Sequence, residues 1–141
     1  MKDGTIATLW VPGPLPGMNE LIAAAKGSGG RGYRYAAIKR QWRNNVHLLA
    51  LEARLPKFPG RVVMTWEWLE RDRRRDPDNI AAGGRKLVLD GLVAAGVLKG
   101  DGWRYVQSWT DRFNLCGAAG GYRNEPGVGL TIHHFGGAEL M

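Results

Sequence analysis

The alternation of apolar and polar positions along the chain predicts seven secondary-structure elements. Short apolar runs bounded by Gly and Pro are typical of strands, and they occur at residues 5–11, 60–69, 103–113 and 127–135. Apolar residues at three- and four-residue spacing are typical of helices, and they occur at residues 19–26, 35–54 and 84–95. The Gly-rich segments 27–32 and 117–127 predict loops. The order β-α-α-β-α-β-β predicts an α+β fold, a small mixed sheet of about four strands with helices packed on one face.

The clearest patterns lie in the helix of residues 35–54 and in the strand of residues 60–69. The apolar stripe of that helix consists of Ile38, Trp42, Val46, Leu49 and Ala53. The alternating apolar positions of the strand are Val62, Met64, Trp66 and Trp68. Because alternate residues of a strand share one face, we interpret the two tryptophans as core residues rather than as a platform for stacking bases.

Composition adds a basic stretch to this picture. The 141 residues fit one domain, residues 1–141. The formal net charge is +7, and residues 31–75 hold twelve Lys or Arg against four Asp or Glu, whereas the remainder is slightly acidic. Such a stretch suits a polyanion such as nucleic acid. A solvated basic surface explains the charge equally well, so composition alone leaves both interpretations open.

Several kinds of chemistry find little support. Cys116 is the only cysteine, which excludes an intrachain disulfide and a Cys-rich zinc module, so we interpret it as a small apolar residue near a turn. The histidines accompany no recognisable Ser or Cys nucleophile motif; they are His47, His133 and His134. No segment approaches the roughly 18 apolar residues of a membrane span. The N-terminus shows no signal peptide, and we expect a cytoplasmic protein without a membrane partner.

The segment Asp76-Pro77-Asp78-Asn79 is the strongest candidate for chemistry. Pro77 disfavours the helical region for Asp76, and in an extended segment residues two apart point the same way. Two adjacent carboxylates repel unless something compensates, and a divalent cation such as Mg²⁺ does so with the ligands it prefers. The alternative is a charged turn in which Asp78 or Asn79 caps the following helix.

Asp101 and Lys86 are weaker candidates by themselves. Asp101 follows the third predicted helix, and a tight return into the next strand would bring it to the acidic segment as a third metal ligand; between two glycines it is also an ordinary turn residue. Lys86 is able to stabilise negative charge on a phosphate. It lies four residues before Asp90 on the same helix face, so a surface ion pair between these two is the competing interpretation.

The segment RRRDPDNIAAGGRKLVLDGLVAAGVLKGDGW, residues 73–103, resembles the RusA family of Holliday junction resolvases, especially its phage and prophage members. The N-terminal WVPGPLPGMNELI and the basic helix with Lys39 and Trp42 are also similar to that family, so the resemblance covers roughly residues 5–111. Its specificity comes from an Arg-rich run, Asp-x-Asp-Asn, Lys-x-x-x-Asp-Gly-Leu, Ala-Gly-Val and a terminal Asp in one order.

The resemblance implies a homodimeric, Mg²⁺-dependent enzyme, with Mn²⁺ as a substitute metal, that nicks four-way DNA junctions symmetrically. The family's acidic metal ligands fall on Asp76, Asp78 and Asp101, and its essential lysine falls on Lys86. Asp90 matches a recurrent family acid, and Asn79 belongs to the same motif. The residues expected to hold the DNA backbone are Lys39, Arg40, Arg43, Arg71, Arg73, Arg74 and Arg75.

The chain departs from the family pattern at two places. Lys86 follows Asp78 by eight residues, whereas compact members have a shorter gap, and residues 81–84 look like the insertion. The family often has an acidic pair where this chain has Gly100-Asp101, so Asp101 serves alone. Three rival interpretations remain beside the junction resolvase: a non-catalytic nucleic-acid-binding protein, a nuclease for other branched or single-stranded DNA, and a ribonuclease.

Overall fold

The structure, a computed structural model, describes residues 1–30, 32–117 and 123–136. Within these ranges the strands are β1 (Ile6–Pro12), β2 (Val62–Glu70), β3 (Val106–Leu115) and β4 (Gly127–His134). The helices are α1 (Met18–Gly30), α2 (Tyr33–Glu52) and α3 (Pro77–Ala94). The predicted α+β class and the order β-α-α-β-α-β-β are confirmed.

The strands form one mixed sheet in the order β1-β4-β2-β3. β4 is antiparallel to both β1 and β2, whereas β2 and β3 are parallel and are connected through α3. Because β2 and β3 run in the same direction, their carboxyl ends meet at one edge, where Glu70 lies beside Leu115. α3 begins at that edge.

The core lies between the helices and one side of the sheet, which we call the helix-covered face; the other side is the open face. The predicted alternation in β2 is confirmed, because Val62, Met64 and Trp66 are fully buried and Trp68 is 2% exposed. The rings of Trp66 and Trp68 are stacked, with centroids 5.5 Å apart. The two tryptophans are therefore core residues, as expected.

Two glycines allow α3 to pack closely. A Cβ atom at Gly91 would overlap the side chain of Val46 in α2, and one at Gly83 would overlap the backbone of Gly17 and Met18. Glycine is therefore required at positions 83 and 91 of α3. At Gly83 the close approach fixes the first half of α3 against the segment that leads into α1.

All three helices differ from the predicted bounds, α2 by only two residues at each end and the other two by more. α3 starts at residue 77 rather than 84, because Pro77 at the first helical position and Asp78 in the first turn favour an earlier start, and the weak helix formers Gly83 and Gly84 serve packing. α1 continues to Gly30 through the segment predicted as a loop. Of the second predicted loop, residues 118–122 lie outside the described residues, as does Arg31.

Candidate active site at the start of helix α3

The acidic segment forms the start of α3. Asp76 is the N-cap residue, with extended backbone angles of φ −74° and ψ 150°, and its side chain makes no capping hydrogen bond. Pro77 and Asp78 follow as the first helical residues, and both carboxylates are exposed. The positive end of the helix dipole favours negative charge at this position. Both carboxylates are thus free for an external ligand.

This geometry corrects one expectation from the sequence. Asp76 has the extended conformation that Pro77 was expected to impose, but Asp78 belongs to the helix, so the two carboxylates are not alternate residues of one extended segment. The cap of α3 is neither Asp78 nor Asn79, which the alternative interpretation considered, but Asp76. The carboxylates still share the first turn of one helix.

Arg75 fastens this turn to the rest of the fold. Its Nε and Nη2 atoms donate parallel hydrogen bonds to Glu70, both 2.8 Å long, and its Nη1 donates to the carbonyl oxygen of Leu15 at 2.8 Å and to Glu20 at 3.1 Å. The hydrogen bonds to Glu70 raise the pKa of Arg75, and burial only partly opposes them. Arg75 was expected to hold DNA; instead its guanidinium is engaged within the chain and positions Asp76.

Asn79 has a structural role too. Its Oδ1 accepts a hydrogen bond from the backbone N–H of Asn19, 2.7 Å away, at the start of α1. Gly17 lies so close to this amide that a Cβ atom there would overlap it. Asn79 therefore links the first turn of α3 to the first turn of α1.

A cleft of about 280 Å³ opens beside the acidic turn. It lies between the first turns of α3 and the carboxyl ends of β2 and β3, and its lining includes Asp72, Arg73, Asp76, Ile80 and Phe113. The crevice at the carboxyl ends of parallel strands is the place where α/β folds usually bind ligands. Phe113 is 36% exposed there, and it gives the cleft an aromatic wall.

Asp101 lies away from this cleft. It is exposed and lines a separate cavity of about 330 Å³ with Lys39, Arg43 and Asp90. Asp90 follows Asp76 by fourteen residues, which is about 21 Å along the helix axis. Within one chain the expected trio is therefore split between the two ends of α3. The earlier start of α3 explains the difference, because seven further residues lengthen the helix by about 10 Å.

Among the described residues, no three His, Cys, Asp or Glu side chains are grouped to hold a metal ion. Asp76 and Asp78 remain as two oxygen donors. Two carboxylates suit Mg²⁺, which commonly keeps several waters and binds through one or two carboxylates and substrate phosphates. The start of α3 therefore offers carboxylate oxygens of the kind that this ion prefers.

Lys86 is exposed on the third turn of α3. Residues 81–84 continue the helix, so Lys86 lies about 12 Å further along the axis than Asp78. Asp90 does not pair with it; the Asp90 carboxylate is 4.0 Å from the Nζ of Lys39 instead. Lys86 is thus available to a ligand that extends along α3.

Sequence reasoning missed an ion pair that joins α3 to β3. Arg85 donates to both carboxylate oxygens of Asp111 in β3, at 2.6 and 3.0 Å, and Trp68 Nε1 donates to the same carboxylate at 2.9 Å. Partial burial raises the pKa of Asp111, but these hydrogen bonds and the charge of Arg85 outweigh it, so the pKa lies below its ordinary value. Arg85 also stacks over Trp109, 4.4 Å from the ring centroid, and over Trp66.

The remaining basic candidates surround both ends of α3. Arg71, Arg73 and Arg74 are exposed in the turn before Asp76. At the other end Arg40 and Arg43 are exposed on α2, and Lys39 is half-buried over the ring of Tyr35. The exposed Arg74–Asp72 pair, 3.6 Å apart, is worth little energetically. A phosphate backbone that runs along α3 would therefore meet cationic side chains at both ends of the helix.

No protein-family model matches the chain, and no curated protein matches it significantly. In the described ranges, none of the helices combines the length and the apolar character needed to cross a bilayer.

Proposed function

We propose that this protein is a Mg²⁺-dependent endodeoxyribonuclease that resolves four-way DNA junctions by paired nicks in the cytoplasm of a bacterial or phage-infected cell. The observation that carries the proposal is the first turn of α3, where the carboxylates of Asp76 and Asp78 are both exposed. Asp76 makes no capping hydrogen bond and lines the cleft at the carboxyl ends of β2 and β3. The resemblance of residues 73–103 to RusA-type resolvases supplies the reaction and the substrate.

In this proposal Asp76 and Asp78 hold the Mg²⁺ ion, for which Mn²⁺ substitutes. When bound, the ion supplies Lewis-acid polarisation of the scissile phosphate and a water of lowered pKa. Arg75 keeps Asp76 in place through Glu70 and Leu15. Lys86 would place its ammonium group against the charge that develops on the phosphate.

DNA would lie along α3, since Lys and Arg side chains lie near both ends of this helix. Arg71, Arg73 and Arg74 would contact the backbone near the cleft, and Lys39, Arg40 and Arg43 would contact it further along. Contacts of this kind fix position without reading sequence, so branch shape and deformability would select the substrate.

The location of Asp101 supports a site shared by two copies of the chain. One chain holds Asp76 and Asp101 at opposite ends of α3, but a two-fold dimer with antiparallel α3 helices would place Asp101 of one copy next to Asp76 of the other. Each dimer then has two equivalent sites related by a two-fold axis, which matches the two-fold relation between the two cleaved strands of a junction.

The test is cleavage of a mobile four-way junction with Mg²⁺ or Mn²⁺, compared with a flap, a linear duplex and matched RNA at the same salt concentration. Asp76→Asn and Asp78→Asn are expected to abolish cleavage while junction binding is kept or tightened. Glu52→Gln, an exposed carboxylate at the end of α2, is the control. A wild-type protein that binds the junction but never cuts it would overturn the nuclease proposal.

A second candidate is a non-catalytic nucleic-acid-binding protein. The split of Asp101 from Asp76 within the chain favours it, because the three expected metal ligands are not grouped among the described residues. It predicts that Asp76→Asn changes nothing but affinity. Preference for the flap or for RNA in the same substrate panel would instead identify one of the other nuclease activities.

A further inference from the structure

The open face of the sheet carries a cavity of about 380 Å³. A row of cross-strand neighbours forms much of its lining, and this row crosses all four strands in the order Trp10, Gly129, Glu67 and Arg112. These positions alternate along their strands with buried core residues such as Val11, Trp66 and Leu130, so they lie on the side of the sheet opposite to the helices. The cavity is therefore separate from the cleft at the start of α3.

Gly129 makes a depression in the middle of this row. Glycine weakens the interior of a strand, and it often marks a place where a ligand comes close to the backbone. Packing does not require it here, because a Cβ atom at Gly129 would meet only Cε3 of Trp10, at an ordinary contact distance of 3.9 Å, and its φ lies outside the left-handed region. Gly83 and Gly91 differ, since a Cβ atom at either would overlap a neighbour. The open space above Gly129 is thus not a by-product of packing.

The two walls of the depression have different chemistry. Trp10 is half-buried, and its ring already carries one planar group, the guanidinium of Arg123, 4.4 Å from the ring centroid. Glu67 forms the other wall and is also half-buried. Among the described residues Glu67 takes part in no ion pair, although Arg112 is its neighbour on β3. Because a carboxylate only accepts hydrogen bonds, a ligand between these walls has to supply donors.

The charged side chains of the lining have a net positive charge. Arg112 and Arg123 are both exposed there, against the single carboxylate of Glu67, and a guanidinium pairs with a phosphate through two parallel hydrogen bonds. The hydroxyl groups of Thr65 and Thr131 are further donors or acceptors. The lining therefore favours a ligand with a planar ring, donors on the edge of that ring and an anionic group. A basic peptide would meet two like charges instead.

We propose that this cavity binds a guanine nucleotide. Guanine is the base that has two neighbouring donors on one edge, N1–H and the N2 amino group, and one carboxylate is able to accept from both. The base would stack on Trp10 above Gly129, with this edge toward Glu67, and the phosphate would lie against the two arginines. Stacking of bases on aromatic side chains is a common mode of recognition on sheet surfaces. The volume is near the lower end of the range for small-ligand sites, roughly 300–1,000 Å³, and suits one nucleotide.

The guanine site goes beyond the proposed nuclease activity and does not depend on it. It lies on the open face, and it uses neither the acidic turn nor a metal ion. A free nucleotide and a guanine in an unpaired strand present the same base and phosphate, so both are possible sources of the ligand.

The first experiment is calorimetric titration of the full chain with GMP, AMP, CMP and UMP in the absence of metal ions. GMP is expected to bind on the order of tenfold more tightly than the other three, as for a hydrogen bond to a charged group. Glu67→Gln is expected to lower the affinity for GMP by about tenfold and to remove the preference for it. Glu52→Gln, an exposed carboxylate at the end of α2, is the control and should bind as the wild-type chain does.

The second experiment fills the depression with Gly129→Val. A β-branched residue suits a strand, and the space around its Cβ atom is open, so the Tm should not fall, whereas GMP binding should be lost. Thr110→Val is the matched control, because Thr110 is exposed on the same face of β3 outside the cavity. Thermal unfolding followed by circular dichroism verifies that both variants are folded.

A pentadeoxynucleotide with one guanine among thymines distinguishes the two sources. Tighter binding of this strand than of GMP would identify unpaired DNA as the ligand, and weaker binding would identify a free nucleotide. Failure of millimolar GMP to bind, equal affinity for the four nucleotides, or unchanged binding by Gly129→Val would overturn the guanine site. Because no titration involves cleavage, a chain that binds GMP but cuts no junction would overturn only the proposed function.

Discussion

Arg75 and Glu70 are joined by two parallel hydrogen bonds, Nε to Oε1 and Nη2 to Oε2, each 2.8 Å long. The pair connects the last residue of β2 to the residue before Asp76, so the position of the acidic turn depends on the geometry of one guanidinium. A lysine has the same charge but lacks the planar fork that allows this pairing.

Arg75→Lys is therefore expected to lower the free energy of unfolding by about 1.5–3 kcal/mol, the range for hydrogen bonds to charged groups, and to reduce cleavage more than junction binding. Urea denaturation and a binding titration measure the two effects. Arg73→Lys, in the same turn and exposed, is expected to change stability by less than about 0.5 kcal/mol. Equal effects of the two variants would contradict the positioning role of Arg75.

Acid unfolding should report the Arg85–Asp111 pair. Because the pKa of Asp111 is lowered in the folded chain, its contribution to stability is fully present above the unfolded value near 3.8 and is lost as the pH falls through the folded pKa. Asp111→Asn is expected to make the free energy of unfolding depend less on pH below about pH 4. Arg85→Gln should have the same effect, since the pair needs both partners; an unchanged acid limb in both variants would contradict the prediction.

Mixing two inactive variants tests whether a site is shared between copies. Asp76→Asn and Asp101→Asn are each expected to be inactive, but their heterodimer retains one intact site, with Asp76 and Asp101 coming from different chains. An equal mixture should recover about a quarter of the wild-type sites and nick one strand per junction. Gel analysis of nicked and resolved products measures this. Complete inactivity of the mixture would place all three carboxylates in one chain.

Lys86→Ala is expected to lower the cleavage rate by about 10²- to 10³-fold with little change in junction affinity, as for loss of a donor to a developing charge. Lys26→Ala, exposed on α1, is the control. Single-turnover kinetics with saturating enzyme separates the rate from binding. A variant that cuts at the wild-type rate would make Lys86 an ordinary surface lysine.

Asn79→Ala is expected to lower the free energy of unfolding by about 1 kcal/mol, because the N–H of Asn19 loses its acceptor at the start of α1. Asn44→Ala, exposed in the middle of α2, is the matched control and should change stability little. Thermal unfolding measures both. A loss of cleavage by Asn79→Ala without loss of stability would reassign Asn79 to the reaction.

The strands and the core were predictable because their signal is local. Alternation alone identified Val62, Met64, Trp66 and Trp68 as one buried face, and this is confirmed. The start of α3 was not predictable in this way: Gly83 and Gly84 weaken a helix locally, and the reason for their presence is contact with Gly17 and Trp68, far away in the sequence.

In the candidate site, too, the residues with a local sequence signal were predictable and those set by distant contacts were not. Asp76 and Asp78 were found because they lie two residues apart in the sequence and because the segment resembles a known family. Arg75 contacts Glu70 only five residues away, but its bond to Leu15 spans 60 residues, and the bond of Asp111 to Arg85 spans 26. No local pattern identifies the two distant partners. The alternation of Trp109, Asp111 and Phe113 was the only available signal that Asp111 points to the helix-covered face.

The distance between Asp76 and Asp101 in one chain has a consequence for dosage. If catalysis needs both carboxylates, a monomer is inactive. Below the dimer Kd the concentration of active dimer then grows with the square of the chain concentration. Halving expression would then cut activity about fourfold, and the first molecules made in a cell would leave its DNA untouched until enough copies accumulate to meet.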